Sequence, residues 1–162
     1  MKAWVSLLVP SVLFLTACAN SLPTASPMVL SEARSFETNP NEAHLYVFLK
    51  DSIGLNKGIA NLQINYKTIG MIDDDHFMFL KVPEGEYVIS WENVNFVTPI
   101  DVQLKNNANT FVELNCVDFN VCTFREVDYE YSKNEILTSD VVYTQRKVPT
   151  SNTYSNINII RP

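Results

Sequence analysis

From residue 44 onward the chain is written in short apolar runs divided by turn residues. Residues 44–50 (HLYVFLK) are apolar on both sides of a two-residue period, the pattern of a strand buried on both faces. Further on the pattern alternates. Ala60, Leu62, Ile64 and Tyr66 share one face against Asn61, Gln63 and Asn65; Ile100, Val102 and Leu104 oppose Asp101, Gln103 and Lys105. Val112, Leu114 and Cys116 likewise oppose Glu113 and Asn115. Such alternation, rich in β-branched and aromatic residues, predicts strands with one dry and one wet face. Further strands are expected at 76–82, 86–92, 121–131 and 136–143, and no helix of ordinary length is expected after residue 40. Turn residues stand between the runs at 51–58, 73–75, 83–85 and 106–109. Seven or eight short strands at this spacing define an all-β protein, an antiparallel β-sandwich of transthyretin-like or immunoglobulin-like kind.

The first residues follow another rule. Lys2 is followed by thirteen uncharged residues, Ala3 to Leu15, and the run ends Leu15-Thr16-Ala17-Cys18. This is a charged n-region and an apolar h-region, too short to span a bilayer and interrupted by Pro10. The last four residues resemble the lipobox of bacterial lipoproteins. That resemblance implies diacylglycerol on the Cys18 thiol, cleavage before Cys18, and acylation of the new amine. Two or more acyl chains give stable attachment, since each buried CH₂ contributes about 0.8 kcal/mol. Ala19 after the cysteine, rather than Asp, implies the outer membrane by the same resemblance, with its face left open. Residues 1–17 are therefore read as signal peptide and 18–43, rich in Ser, Asn, Pro and Thr, as a flexible tether. Within it Ser26-Pro27 can cap and start a short helix. The sandwich is expected over 44–145 and a polar tail over 146–162.

Cleavage removes 17 residues and the charge of Lys2, turning 162 residues at −6 into 145 at −7. That balance argues against nucleic acid as a partner, because phosphate binding needs a basic face. At 46% hydrophobic and 19% charged, the chain has material for one packed core. Three cysteines divide into Cys18 and a pair, Cys116 and Cys122. By the period of two, both members of the pair point to one side of a hairpin. An oxidising envelope favours their bridging over a redox role, for which closer Cys-x-x-Cys spacing is usual.

Few residues suggest chemistry. Asp73, Asp75 and His76 offer oxygen and imidazole ligands, but consecutive turn residues diverge, so no metal or other cofactor is expected. His44 is read as a surface or edge residue. With 4 Gly, 2 His, and no nucleophile elbow, phosphate loop or zinc-helix motif, catalytic residues are not identified. Phe77, Phe79, Tyr87 and Trp91 are read chiefly as core, with Trp91 kept as a binding candidate. Tyr129, Tyr131 and Tyr143 are expected nearer the surface, and Tyr129 and Tyr131 complete the candidate binding set.

Leu45-Tyr46-Val47, then Lys67-Thr68-Ile69-Gly70-Met71-Ile72, then Val82-Pro83-Glu84-Gly85-Glu86-Tyr87, then Thr110-Phe111-Val112-Glu113-Leu114 occur in that order within residues 44–115. The series resembles a bacterial lipoprotein family named domain of unknown function 2846. The chain departs from that family at Asp73–Asp75 and Asn106–Asn109, where glycine is often seen. The resemblance implies an envelope lipoprotein with a β-sandwich and supplies no catalytic residues. The resulting expectation is a lipid-anchored, non-catalytic protein that binds an envelope protein or serves a structural role. The alternative is a small-molecule or glycan binder, or a cryptic hydrolase, working from an aromatic and acidic groove.

Overall fold

In the computed structural model, which describes residues 22, 24–50, 60–92, 99–118 and 121–141, the strands form two sheets. The strands are β1 (Ala43–Lys50), β2 (Ala60–Ile64), β3 (Lys67–Ile72), β4 (His76–Val82), β5 (Gly85–Glu92), β6 (Ile100–Leu104), β7 (Asn109–Asp118), β8 (Val121–Val127) and β9 (Asp140–Val141). A five-stranded sheet has the order β8-β7-β1-β4-β9 and a four-stranded sheet the order β3-β2-β5-β6. The all-β sandwich stands. Its strands are not uniformly antiparallel, however: β1 runs parallel to β7, and β4 parallel to β9. The cause is connectivity: between β1 and β7 the chain twice leaves the five-stranded sheet, over β2–β3 and over β5–β6, and it reaches β9 by a crossover from β8 at the opposite edge of the same sheet.

Strand β1 is central, with every residue from Ala43 to Leu49 buried, as its two-faced apolar pattern requires. One of its faces meets the second sheet. There Leu45, Val47 and Leu49, with Met78, Leu80, Val112 and Leu114, pack against Leu62, Ile64, Ile69, Tyr87, Ile89 and Leu104. The other face carries Tyr46 and Phe48, flanked by Phe77 and Phe79 of β4 and Phe111 of β7. Ring centroids 4.9 Å apart join Tyr46 to both Phe79 and Phe111. So large an aromatic surface cannot stay in water, and two helices cover it.

The first, α1 (Pro27–Ser35), begins as the sequence suggests: the Ser26 side chain accepts from the Val29 amide, and Pro27 occupies the first turn. It ends at Phe36, in the left-handed region at φ 55°, a costly conformation for a bulky residue. Contacts offset that cost: the Phe36 ring lies 5.8 Å from Tyr46, and its carbonyl accepts from Asn109 Nδ2 at 2.7 Å. Ala33 is fully buried, and its carbonyl accepts the Tyr46 hydroxyl at 2.9 Å. Upstream, Leu22 is buried in the core between the sheets, and the Ala25 amide donates to the Val141 carbonyl at 2.8 Å. The described part of the stretch read as a tether, Leu22 and residues 24–43, is therefore folded onto the domain.

The second helix, α2 (Tyr129–Thr138), corrects the expectation of no helix after residue 40. Strand β8 ends at Val127 rather than continuing to Tyr131, and the strand expected at 136–143 reduces, among the described residues, to the two of β9. Asp128 makes the switch: its side chain accepts the Tyr131 amide at 2.9 Å, an N-cap where an alternating strand was expected. Ser132 and Ile136, one turn apart, bury against the sheet. From β8 the helix crosses to β9, at the opposite edge of the same sheet.

The turns supply three further findings. Asn65 and Tyr66 both take positive φ (49° and 61°), closing β2–β3 as a two-residue hairpin, so Tyr66 is half exposed in a turn rather than in line with Ile64. At 106–109, where the family resemblance leads one to expect glycine, Asn107 takes φ 58°, which asparagine tolerates. The Pro83-Glu84-Gly85 step does need its glycine, at φ 155°, but it joins strands of different sheets rather than a paired hairpin.

Candidate functional site

The disulfide is where the alternation places it. Cys116 and Cys122 are register partners of β7 and β8, bonded with Cα atoms 4.1 Å apart, and buried in the core between the sheets. Its position makes it a staple of the hairpin rather than a surface redox centre.

On the opposite face of the same hairpin lies a cluster of charged residues. Glu113 of β7 follows Phe111 on the helix-covered face, with Arg125 of β8 as its register partner and Asn115 next along the strand. The alternation marks Glu113 and Asn115 as wet, yet Glu113 is completely buried. Arg125 Nε donates to Glu113 Oε1 at 2.9 Å, with Nη2 also 2.9 Å from that oxygen. Glu113 Oε2 and Asn115 Oδ1 are both buried and have no hydrogen-bond partner among the described residues. Two buried acceptors without donors on one face are costly, because each has given up water for nothing.

The roof of this cluster is Tyr131, which the Asp128 cap sets in the first turn of α2. Its hydroxyl accepts from Lys50 Nζ at 2.7 Å and from Arg125 Nη2 at 3.3 Å, while Lys50 and Arg125 sit 4.5 and 5.4 Å from the ring centre. Lys50 also pairs with Glu135 of α2 at 3.5 Å. The hydrogen bond to Tyr131 raises the Lys50 pKa above the ordinary lysine value; partial burial opposes it, and the carboxylates of Glu135 and Glu113 add to it. Arg125 is held protonated chiefly by Glu113. Lys50, Arg125, Glu113 and Glu135 thus balance in charge, while the buried Oε2 and Oδ1 lack a donor among the described residues. Chemically the arrangement suits recognition of an ammonium, an amide N–H or a hydroxyl.

The expected candidates separate. Tyr131 belongs to this cluster. Tyr129 lies beside it at 37% exposure, edge-on to Phe36 at 5.2 Å, with Lys133 5.5 Å from its ring centre. Trp91 does not join them: it is a partly buried residue of β5 packed on the core between the sheets. Phe77, Phe79 and Tyr87 are buried, but in two cores, because β4 and β5 belong to different sheets. Asp73, Asp75 and His76 form a tied turn. Asp73 Oδ1 accepts from the Asp75 amide at 3.2 Å and bonds His76 Nδ1, while the Asp75 carbonyl accepts from the Asp140 amide of β9 at 2.9 Å. Among the described residues no three metal-ligating side chains converge. His44 is not at the surface; it is buried in β1, its Nδ1 3.2 Å from Asn109 Oδ1 and its ring edge-on to Phe79 at 5.3 Å. Cys18, Tyr143, the turn at 51–58, the signal at 1–17 and the tail at 146–162 lie outside the described residues.

No family model, curated protein or solved structure matches the chain.

Proposed function

We propose that the chain is a lipid-anchored envelope lipoprotein of the outer membrane, of the kind its family resemblance implies, acting without catalysis to hold a protein partner through the Tyr131 cluster. The observation that carries this reading is Glu113: a fully buried carboxylate with one oxygen satisfied by Arg125 and the other without a donor among the described residues, like the buried Asn115 Oδ1 beside it, so that a partner reaches them as the Tyr131 roof moves aside. A purely structural protein gains stability by replacing such a group, so its presence argues for a ligand donor that completes it. A lysine ammonium or amide of a partner protein supplies that donor, and Tyr129 offers a half-exposed ring beside it.

A photo-crosslinking residue at position 131, in cells, tests the reading. A discrete adduct is expected, absent when the crosslinker sits at exposed Gln103 on the far sheet and lost in Glu113→Leu. Equal labelling from positions 131 and 103 overturns it. Glycan fragments that compete for the adduct would assign the site to carbohydrate instead. The anchor is tested separately: fatty-acid label is expected on the wild type and absent from Cys18→Ser.

A further inference from the structure

The chain enters the domain almost immediately after its anchor. Leu22 is 6% exposed and buried in the core between the sheets, and only Ala19, Asn20 and Ser21 separate it from Cys18. Four Cα steps reach at most about 14 Å. A free linker over all of 18–43 would instead have a root-mean-square span of about 28 Å and a far longer full reach. The point of entry is also fixed. The Ala25 amide donates to the Val141 carbonyl, so residues 24 and 25 run along β9, the edge strand of the five-stranded sheet.

We infer that the domain is apposed to the bilayer, with its β9 edge and the first turn of α1 resting on the headgroups of a zwitterionic phospholipid. This rests on the lipid-anchor reading of Cys18. The edge has suitable chemistry. Met28, 78% exposed in the first turn of α1, is an apolar side chain able to enter the interface. A shallow cleft of about 200 Å³ beside it is lined by Thr24, Ala25, Pro27, Leu30, Asp140 and Val141. Exposed Asp75 and Asp140 sit together where β9 meets β4. Asp140 is shared with Arg34 Nη2 at 3.8 Å, so the pair of carboxylates against one guanidinium leaves an excess negative charge that favours the ammonium of phosphatidylethanolamine and opposes an anionic surface. The domain therefore rests on headgroups rather than sinking among the chains. Its orientation sets the height of the Tyr131 cluster. Strand β8, which carries Arg125, is four strand spacings from β9, or about 19 Å at 4.8 Å each. The binding cluster is thus presented on the side away from the membrane, at a fixed height.

The experiment uses the full chain, exported, lipidated and purified, in phosphatidylethanolamine-rich vesicles. With Cys18 acylated and Cys116 bonded to Cys122, a Met28→Cys or Thr123→Cys substitution gives a single thiol for a donor dye. Acceptors are placed in the headgroups. Energy transfer from position 28 is expected to exceed that from exposed position 123 on β8 several-fold. A fifteen-residue Gly/Ser insert between Ala19 and Asn20, with a typical span of about 21 Å, is expected to bring the two close to equal. Failure to float with vesicles overturns the lipid reading and this inference with it. Flotation with equal transfer from both positions, or transfer unaltered by the insert, overturns the apposition alone.

Discussion

Glu113→Leu is the most informative single change, because it sets stability against binding. The wild-type carboxylate is completely buried and has one orphaned oxygen; its partner Arg125 keeps 54% of its side chain exposed. Leucine has a similar volume and sits on a face whose neighbours include Phe48 across β1 and Phe111 two residues back. The substitution removes the cost of an unsatisfied buried oxygen, about 1–3 kcal/mol, and adds apolar contact. It gives up one charged pair, whose surviving member can turn to water. Removing one member of a buried pair is costly when the survivor stays buried, but Arg125 is 54% exposed and can rehydrate, so the removed desolvation of Glu113 outweighs the lost Arg125 bonds and a net gain of about 1 kcal/mol is expected. Denaturant unfolding of the unlipidated protein should show a higher midpoint at unchanged slope, and the melting temperature should rise by about 3–4 °C. Crosslinking from position 131 should disappear in the same variant. A loss of about 3 kcal/mol or more would refute the reasoning, because Glu113 would then be a structural tie whose remaining needs are met inside the domain.

Other changes probe the parts that hold the site. Cys116→Ser with Cys122→Ser, or reduction, should lower unfolding free energy by about 2 kcal/mol, the entropy of so short a loop, as read by denaturant titration with and without reductant. Deleting residues 22–35, harmless if they were a tether, should expose the aromatic face of Tyr46, Phe77, Phe79 and Phe111 and produce strong binding of a hydrophobic dye. Burial raises the Tyr46 pKa first, and burial raises that of Tyr87, while the Tyr131 hydrogen bond raises that of Lys50. A raised folded-state value stabilises fully below the unfolded value and is lost as pH climbs through the folded one. Melting temperature should therefore be flat up to about pH 9.5 and fall above about pH 10, less steeply in Tyr46→Phe.

What the sequence discloses and what it hides divide along physical lines. Strand β1 could be placed because seven consecutive buried residues leave a pattern with no wet face. The disulfide could be placed because its two members keep step with a period of two. Helix α2 was hidden because Tyr129 and Tyr131 alternate with Glu130 and Ser132, which continues the rhythm of β8. Its helical period is carried by only two buried residues, Ser132 and Ile136. The cap at Asp128, with Glu130 in the first turn, is the signal that could have revealed it. The parallel pairing of β1 with β7 left no local trace, because neither strand's own pattern encodes the direction of its neighbour.

The same cause hid the candidate site. Alternation assigns Glu113 and Asn115 to solvent because, along β7 alone, polar residues opposite Val112, Leu114 and Cys116 are the wet half of a strand. Whether that half is wet depends on what lies above it, and α2 lies above it. A helix that dries an apolar face needs only hydrophobic partners, which Tyr46, Phe48 and Phe77 provide at the centre of the sheet. Toward the ends of β1 and β7 the covered face becomes polar, with Lys50, Glu113 and Asn115 where apolar residues would pack better. The outer layer is thus a core at its middle, with buried polar atoms lacking partners among the described residues toward both ends: His44 Nε2 at one, Glu113 Oε2 and Asn115 Oδ1 at the other. That departure from an ordinary core is the observation on which the proposed binding role rests.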